Sequence, residues 1–208
     1  LGVLAGVYRG RLPDRIIRGY CLLISSTPAF WLAILLLIIF SVWLGWLPIG
    51  LSAPIGAEAA AVTLADRLRH AFLPALTLSI TGVAGIALHT REKLCGVLES
   101  DYVLFARARG ESAPSIVLRH GLRNVALPAI TLQFASISEL IGGSVLVEQV
   151  FSYPGLGQAA VTAGLGGDLP LLLGITVLTA ALVFGGNLCA DLLYGAVDPK
   201  IRRGAARR

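Results

Sequence analysis

Four long apolar runs, at about 22–44, 71–88, 125–147 and 169–190, alternate with short segments that hold nearly all of the charge. A helix needs about 20 mainly apolar residues to cross the hydrocarbon core of a bilayer, and each run is long enough or nearly so. Charged residues make up 14% of the chain, against about 25% in an ordinary soluble domain. The expected fold is therefore all-α and integral to a membrane, with four full spanning helices in one domain over residues 1–208. A fifth apolar run, residues 1–7, is too short to span. With no Met in the sequence and basic residues after the run rather than before it, this stub reads as the tail of a spanning helix that begins upstream, not as a signal peptide.

Lys and Arg set the expected orientation. Segments 8–20, 90–124 and 198–208 hold 15 of the 17, and only Arg67 and Arg69 lie elsewhere. The positive-inside rule places these three segments, the C-terminus included, in the cytoplasm. Topology accounts for the net charge of +5, and no nucleic-acid partner is needed to explain it. Cys21, Cys95 and Cys189 are widely spaced, and His70, His89 and His120 show no i, i+4 pairing. Neither a disulfide framework nor a metal site is written in that spacing.

The second basic segment contains DYVLFARARGESAPSIVLRHGLRNVALP from Asp101. Ser112 followed by Pro114 is helix-start chemistry, and Gly110 permits a left-handed or close-packed backbone. Two short helices meeting at a bend near Gly110 are expected, within a cytoplasmic loop over about 91–124. That is a shape for docking a partner. Elsewhere, Pro28 is expected to kink the first span, Trp43 and Trp46 to anchor its far end, and 66–70 to form a short amphipathic stretch on the outer surface.

Glu139 falls about midway along the third full span, where an ionised carboxylate is costly without water or a partner. It either lines an aqueous path or is a neutral group that locks two helices. Glu148 lies near the outer boundary and reads first as holding the following turn, second as a contact. That turn, Phe151-Ser152-Tyr153-Pro154-Gly155-Leu156-Gly157, can make a tight bend at the membrane surface. Asn187 and Asp191 share one helix face and suit contact with neighbouring helices better than an ion site. An intramembrane enzyme would need a nucleophile with a base, paired carboxylates or a metal, and Glu139 has no evident partner. A phosphate loop needs Gly-Lys-[Ser/Thr], but Lys93 follows Glu92 and Lys200 follows Pro199. ATP hydrolysis by that route would require another subunit.

Four blocks then resemble the transmembrane permease subunits of bacterial ABC importers for dipeptides, oligopeptides and nickel: TPAFWLAILLLIIFSVWLGWLPIG from Thr27, the block from Asp101, GGSVLVEQVFSYPGLGQ from Gly142 and NLCADLLYGAVDPKIR from Asn187. The resemblance implies a type I importer transmembrane domain in the bacterial inner membrane, with a further spanning helix before Leu1. It implies four kinds of partner: a second, homologous permease, cytoplasmic ABC ATPase subunits that carry ATP and Mg, an external solute-binding protein, and the lipid bilayer. This chain itself would hold no cofactor. By the same resemblance, Leu104, Phe105, Ala106, Arg107, Ala108, Arg109, Gly110, Glu111 and Ser112 form the ATPase-coupling loop. Of the family's E-A-A-x-x-x-G pattern only Ala106 and Gly110 match, and Phe105 is the candidate aromatic anchor. Ala106, Ala108 and Gly110 would allow close approach, and Arg107, Arg109 and Glu111 would pair with the partner's rim. Glu139 is the candidate for the translocation path, and Glu148, Phe151, Pro154 and Gly155 for an external gate or binding-protein contact. The expected mechanism is alternating access, with peptides as cargo and nickel or another small solute as the alternative. A rival of another class is a non-transporting scaffold whose basic hairpin docks a different cytoplasmic protein.

Overall fold

The computed structural model describes residues 1–56 and 61–197, with side chains described to residue 193. The basic segment 198–208, expected in the cytoplasm, lies outside the described residues. In chain order the helices are α1 (Gly2–Val7), α2 (Leu12–Ser25), α3 (Ala29–Leu37), α4 (Leu64–Leu98), α5 (Asp101–Ala108), α6 (Ala113–Ile116), α7 (Arg123–Ala135), α8 (Ile137–Val150), α9 (Leu156–Leu165) and α10 (Leu169–Val197). Wider π-helical turns extend α3 over Ile38–Trp43 and join α6 to α7 over Val117–Leu122. No strand occurs among the described residues.

Among the described residues, two helices are long and apolar enough to cross a membrane alone: α4, and α10 over Leu169–Leu193. The count reaches 4 if α2 with α3, and α6–α7 with α8, each make one crossing. Two of the four expected spans are thus interrupted. In the first, Pro28 does not kink a continuous helix; it is the extended N-cap of α3, with ψ at 137°. Its ring disfavours helical backbone at Thr27, so α2 stops and α3 starts anew. In the third, the break falls at Ser136, whose hydroxyl donates to the Gln133 carbonyl at 2.8 Å and so competes with the helical ladder. Pro74 and Pro128 remain inside helices.

The second expected span is longer than its apolar run. Helix α4 has 35 residues and is about 50 Å long at 1.5 Å per residue, whereas the hydrocarbon core is about 30 Å thick. Both charged ends therefore extend past the apolar stretch. Residues 66–70, expected as a separate surface segment, are the first turns of α4, and 91–98 are its last. The start is fixed by a reciprocal cap: the Asp66 carboxylate accepts from the Thr63 amide at 3.1 Å, and the Thr63 hydroxyl accepts from the Asp66 amide at 3.2 Å.

The backbone divides into two compact units. Among the described residues, one comprises 1–25, 83–136 and 184–197; the other comprises 26–56, 61–82 and 137–183. In the first, Gly2 and Gly6 bring α1 onto α4, since a Cβ at Gly2 would collide with the Ala87 carbonyl and one at Gly6 would lie 2.8 Å from Leu94. Glycines four apart make this close face, the same device that brings membrane helices together. In the second unit, Ala33, Leu36, Leu73, Val147 and Phe151 form a buried apolar cluster.

Candidate functional site

Helices α5 and α6 make the bent hairpin expected from the sequence, although the segment 91–124 is mostly helix rather than loop. Arg109 ends α5, Gly110 takes φ +85°, Gly110 N–H donates to the Arg107 carbonyl at 2.9 Å, and Glu111 N–H donates to the Ala106 carbonyl at 3.1 Å. These paired bonds form a Schellman C-cap, which places its left-handed residue at Gly110. A Cβ there would meet nothing within 4 Å. Within this chain, Gly110 is thus required by its backbone conformation and not by a close neighbour. Ser112 occupies the N-cap of the next helix without a side-chain cap bond, and a proline follows in the first turn.

Val103 and Ala106 face inward against Ile116, with Val97 and Leu98 around them. Ala106 is therefore a packing residue, and its expected role in close approach to a partner does not fit its burial. The opposite face carries Leu104, 65% exposed, and Phe105, 70% exposed. Two adjacent large apolar side chains are thus left uncovered by this chain on one face of α5. Arg107, Ala108, Arg109, Gly110 and Ser112 are also exposed. Glu111 differs: its carboxylate accepts from Arg109 at 3.2 Å and from His120 Nε2 at 3.3 Å. His120 packs edge-on to Tyr102, and the Tyr102 hydroxyl accepts from Asn124 at 3.3 Å. Glu111 is thus occupied within the hairpin, while Arg107 has no ion-pair partner among the described residues.

A buried ion pair that sequence reasoning missed braces the same unit. Asp14, 0% exposed, accepts from Arg91 Nε at 2.5 Å and Nη2 at 2.8 Å, and from the Gly10 amide at 2.8 Å. The two-pronged contact satisfies most of the carboxylate, as a buried charge requires. Asp14 lies in the basic segment, outside the apolar runs, and its hydrogen bonds from Arg91 hold its carboxyl well below the usual range despite burial. Arg9 and Glu99 add a second, exposed pair.

In the other unit, the turn after α8 is locked from within. Glu148 accepts from the Ser144 hydroxyl at 2.9 Å and from the Gln158 amide at 2.7 Å. Gly155 packs on that carboxylate so closely that a Cβ would collide with it. Phe151, expected as an external contact, is 1% exposed and sits in the apolar cluster. Its carbonyl accepts from the Leu51 amide at 2.9 Å, and Gly50 packs against the same carbonyl. Leu51 and Ser152 both take positive φ, at 66° and 47°, a strained conformation for side-chain-bearing residues. His70 Nδ1 donates to the Gly50 carbonyl at 2.7 Å and Arg69 to the Trp46 carbonyl at 2.8 Å. Pro154 is exposed on the turn. The sequence signal for this lock was present: Ser144 and Glu148 are polar residues one helical turn apart in an apolar run.

Glu139 is exposed in the first turn of α8, after the break at Ser136, and not in mid-helix. It and Glu148 belong to one helix, but of the two only Glu148 has a hydrogen-bond partner for its carboxylate among the described residues. Asn187 and Asp191 are both exposed on α10. Among the described residues no three His, Cys, Asp or Glu side chains gather as a metal site.

Long apolar helices and interrupted spans define a polytopic membrane protein that carries a bent, partly apolar hairpin. The chain belongs to the family described as the inner membrane component of binding-protein-dependent transport systems, whose pattern matches residues 1–203. Its fold is the all-α type I ABC importer transmembrane domain. Over 176 residues it is 42% identical to the oligopeptide transport system permease protein AppB of Bacillus subtilis (strain 168), a match that covers 85% of this chain and 55% of that protein. Over 201 residues it is 39% identical to the glutathione transport system permease protein GsiC of Escherichia coli (strain K12), covering 97% of this chain and 61% of that protein. The chain thus spans between 55% and 61% of the length of these two curated relatives.

Proposed function

We propose that this chain is the permease subunit of an ATP-driven importer, forms a path for peptides by alternating access, and takes its energy from a separate ATPase docked on α5 and α6. The observation that carries the reading is the two-faced α5: Val103 and Ala106 are buried, whereas Leu104 and Phe105 stand exposed beside Arg107 and Arg109. An apolar centre rimmed by cations suits a complementary cleft on another protein. The basic segments would face the cytoplasm, which puts this hairpin on the side where ATP is available. ATP and Mg would be held by the partner. The turn held by Glu148 would face outward, where a solute-binding protein delivers cargo, and a second permease would complete the path, with Glu139 a candidate lining residue.

Peptides are preferred to nickel because the relatives named above handle an oligopeptide and glutathione, itself a peptide. The scaffold reading leaves those relationships unexplained. The test is co-purification of an ATPase subunit with the full-length protein in detergent, comparing wild type with Phe105→Asp. The substitution lies on an exposed face and should leave the fold intact while the ATPase is lost. Equal retention would displace α5 as the docking element, and an ATPase absent from both would favour the scaffold.

A further inference from the structure

Beside the hairpin, α4 and α7 enclose an open cavity of about 360 Å³ lined by His89, Thr90, Lys93, Val125, Pro128 and Leu132, among others. We propose that this groove holds one anionic phospholipid, its acyl chain along α7 and its phosphate at Lys93. The inference rests on the membrane class of the chain and not on its cargo.

Three independent features favour that occupant. The first is depth. The apolar run ends at Leu88, so Lys93 lies five residues further, about 7.5 Å along the helix axis. The polar headgroup layer is about 5–8 Å thick on each side of the hydrocarbon core, which puts the ammonium at phosphate level. The second is unspent charge. Arg91 is consumed by Asp14 and Arg9 by Glu99, while Lys93 makes no ion pair among the described residues. Lys93 also borders a second cavity, which Glu92, Glu99 and Arg9 line with it, but it makes no ion pair there among the described residues. The third is the shape and chemistry of the walls. Val125, Pro128, Ala129 and Leu132 make the α7 side mainly apolar, with Thr131 donating its hydroxyl back to the Leu127 carbonyl, and a free phosphate would not use it; Lys93, His89 and Thr90 supply the polar side. A long-chain amphiphile with a negative head matches both parts.

The test is native mass spectrometry of the full-length protein with the subunits that co-purify, titrated with phosphatidylglycerol or with phosphatidylcholine. Wild type should retain phosphatidylglycerol in preference. Lys93→Gln should weaken that retention about five-fold, the equivalent of about 1 kcal/mol for one cation at the surface, and leave phosphatidylcholine unaffected. Ala129→Phe, which fills the groove, should weaken both. Arg119→Gln removes an exposed charge elsewhere in the same basic segment and should change neither. Equal phosphatidylglycerol retention by wild type and Lys93→Gln would overturn the proposal. So would a photocrosslinker at Lys93 that captures another polypeptide and no lipid, because the groove would then be a subunit contact.

Discussion

The turn after α8 and the hairpin of α5 and α6 use similar residues to opposite ends. Both combine a carboxylate, a glycine-dependent bend and an aromatic side chain. In the turn these groups satisfy one another: Glu148 is bonded by Ser144 and Gln158, Gly155 packs on the carboxylate and Phe151 is buried. In the hairpin only part of the chemistry is turned inward. Val103, Ala106 and Glu111 hold the bend, and Leu104, Phe105 and Arg107 are left unused. Burial and partner count thus separate residues that shape an element from residues the element presents, a distinction that motif matching cannot make.

The contrast can be broken most forcefully at Phe151. Phe151→Ala should cost about 3–5 kcal/mol, as large-to-small changes at fully buried aromatic sites do, seen as a lower unfolding temperature in detergent. A loss below 1 kcal/mol would mean that the aromatic ring is a surface group in the assembled protein. Next comes Glu148→Leu, which leaves the Gln158 backbone amide without its acceptor, while the Ser144 hydroxyl keeps the Ile141 carbonyl at 2.9 Å. Hydrogen bonds to a charged group contribute about 1.5–3 kcal/mol, and Glu148→Gln should recover part of the loss because an amide oxygen can still accept. If Glu148→Leu instead left stability unchanged and abolished transport, the carboxylate would belong to the path and not to the turn.

The sequence made some of this legible and hid the rest for physical reasons. Helical membrane architecture follows from long apolar runs, because the bilayer leaves the backbone few ways to satisfy itself. Gly110 was readable as a bend because only glycine takes φ +85° without penalty. The break at Ser136 was not, since Ser gives a weak signal beside Pro128, which stays helical. In a membrane helix neighbouring groups can re-satisfy the backbone that proline frees, so proline is a poor guide to where a span breaks. The Asp14–Arg91 pair joins residues 77 apart in sequence, and no local pattern announces it. For the candidate site, the bend of the hairpin was legible but the facing of the side chains was not. That placed Ala106 among partner contacts and left Ser144 and Gln158 unnoticed.

Smaller effects sharpen the comparison within the hairpin itself. Gly110→Ala forces a side-chain-bearing residue into the left-handed region and should cost about 1 kcal/mol, with no steric term because the added Cβ meets nothing. Thermal unfolding would report that loss, and hydrogen exchange at Gly110 and Glu111 should rise as the paired cap bonds open. Leu104→Ser completes the series. Its side chain is exposed, and surface changes of this kind usually stay within about 0.5 kcal/mol, so the unfolding temperature should hardly move. Removing an apolar contact from a docking face should nevertheless speed dissociation of the ATPase, measured by surface-immobilised binding. The pair of variants thereby separates two ways of failing: Gly110→Ala alters the shape of the hairpin, and Leu104→Ser only what it presents. If Leu104→Ser destabilised the chain as much as Gly110→Ala, Leu104 would be part of the fold. The exposed face of α5 would then no longer support docking.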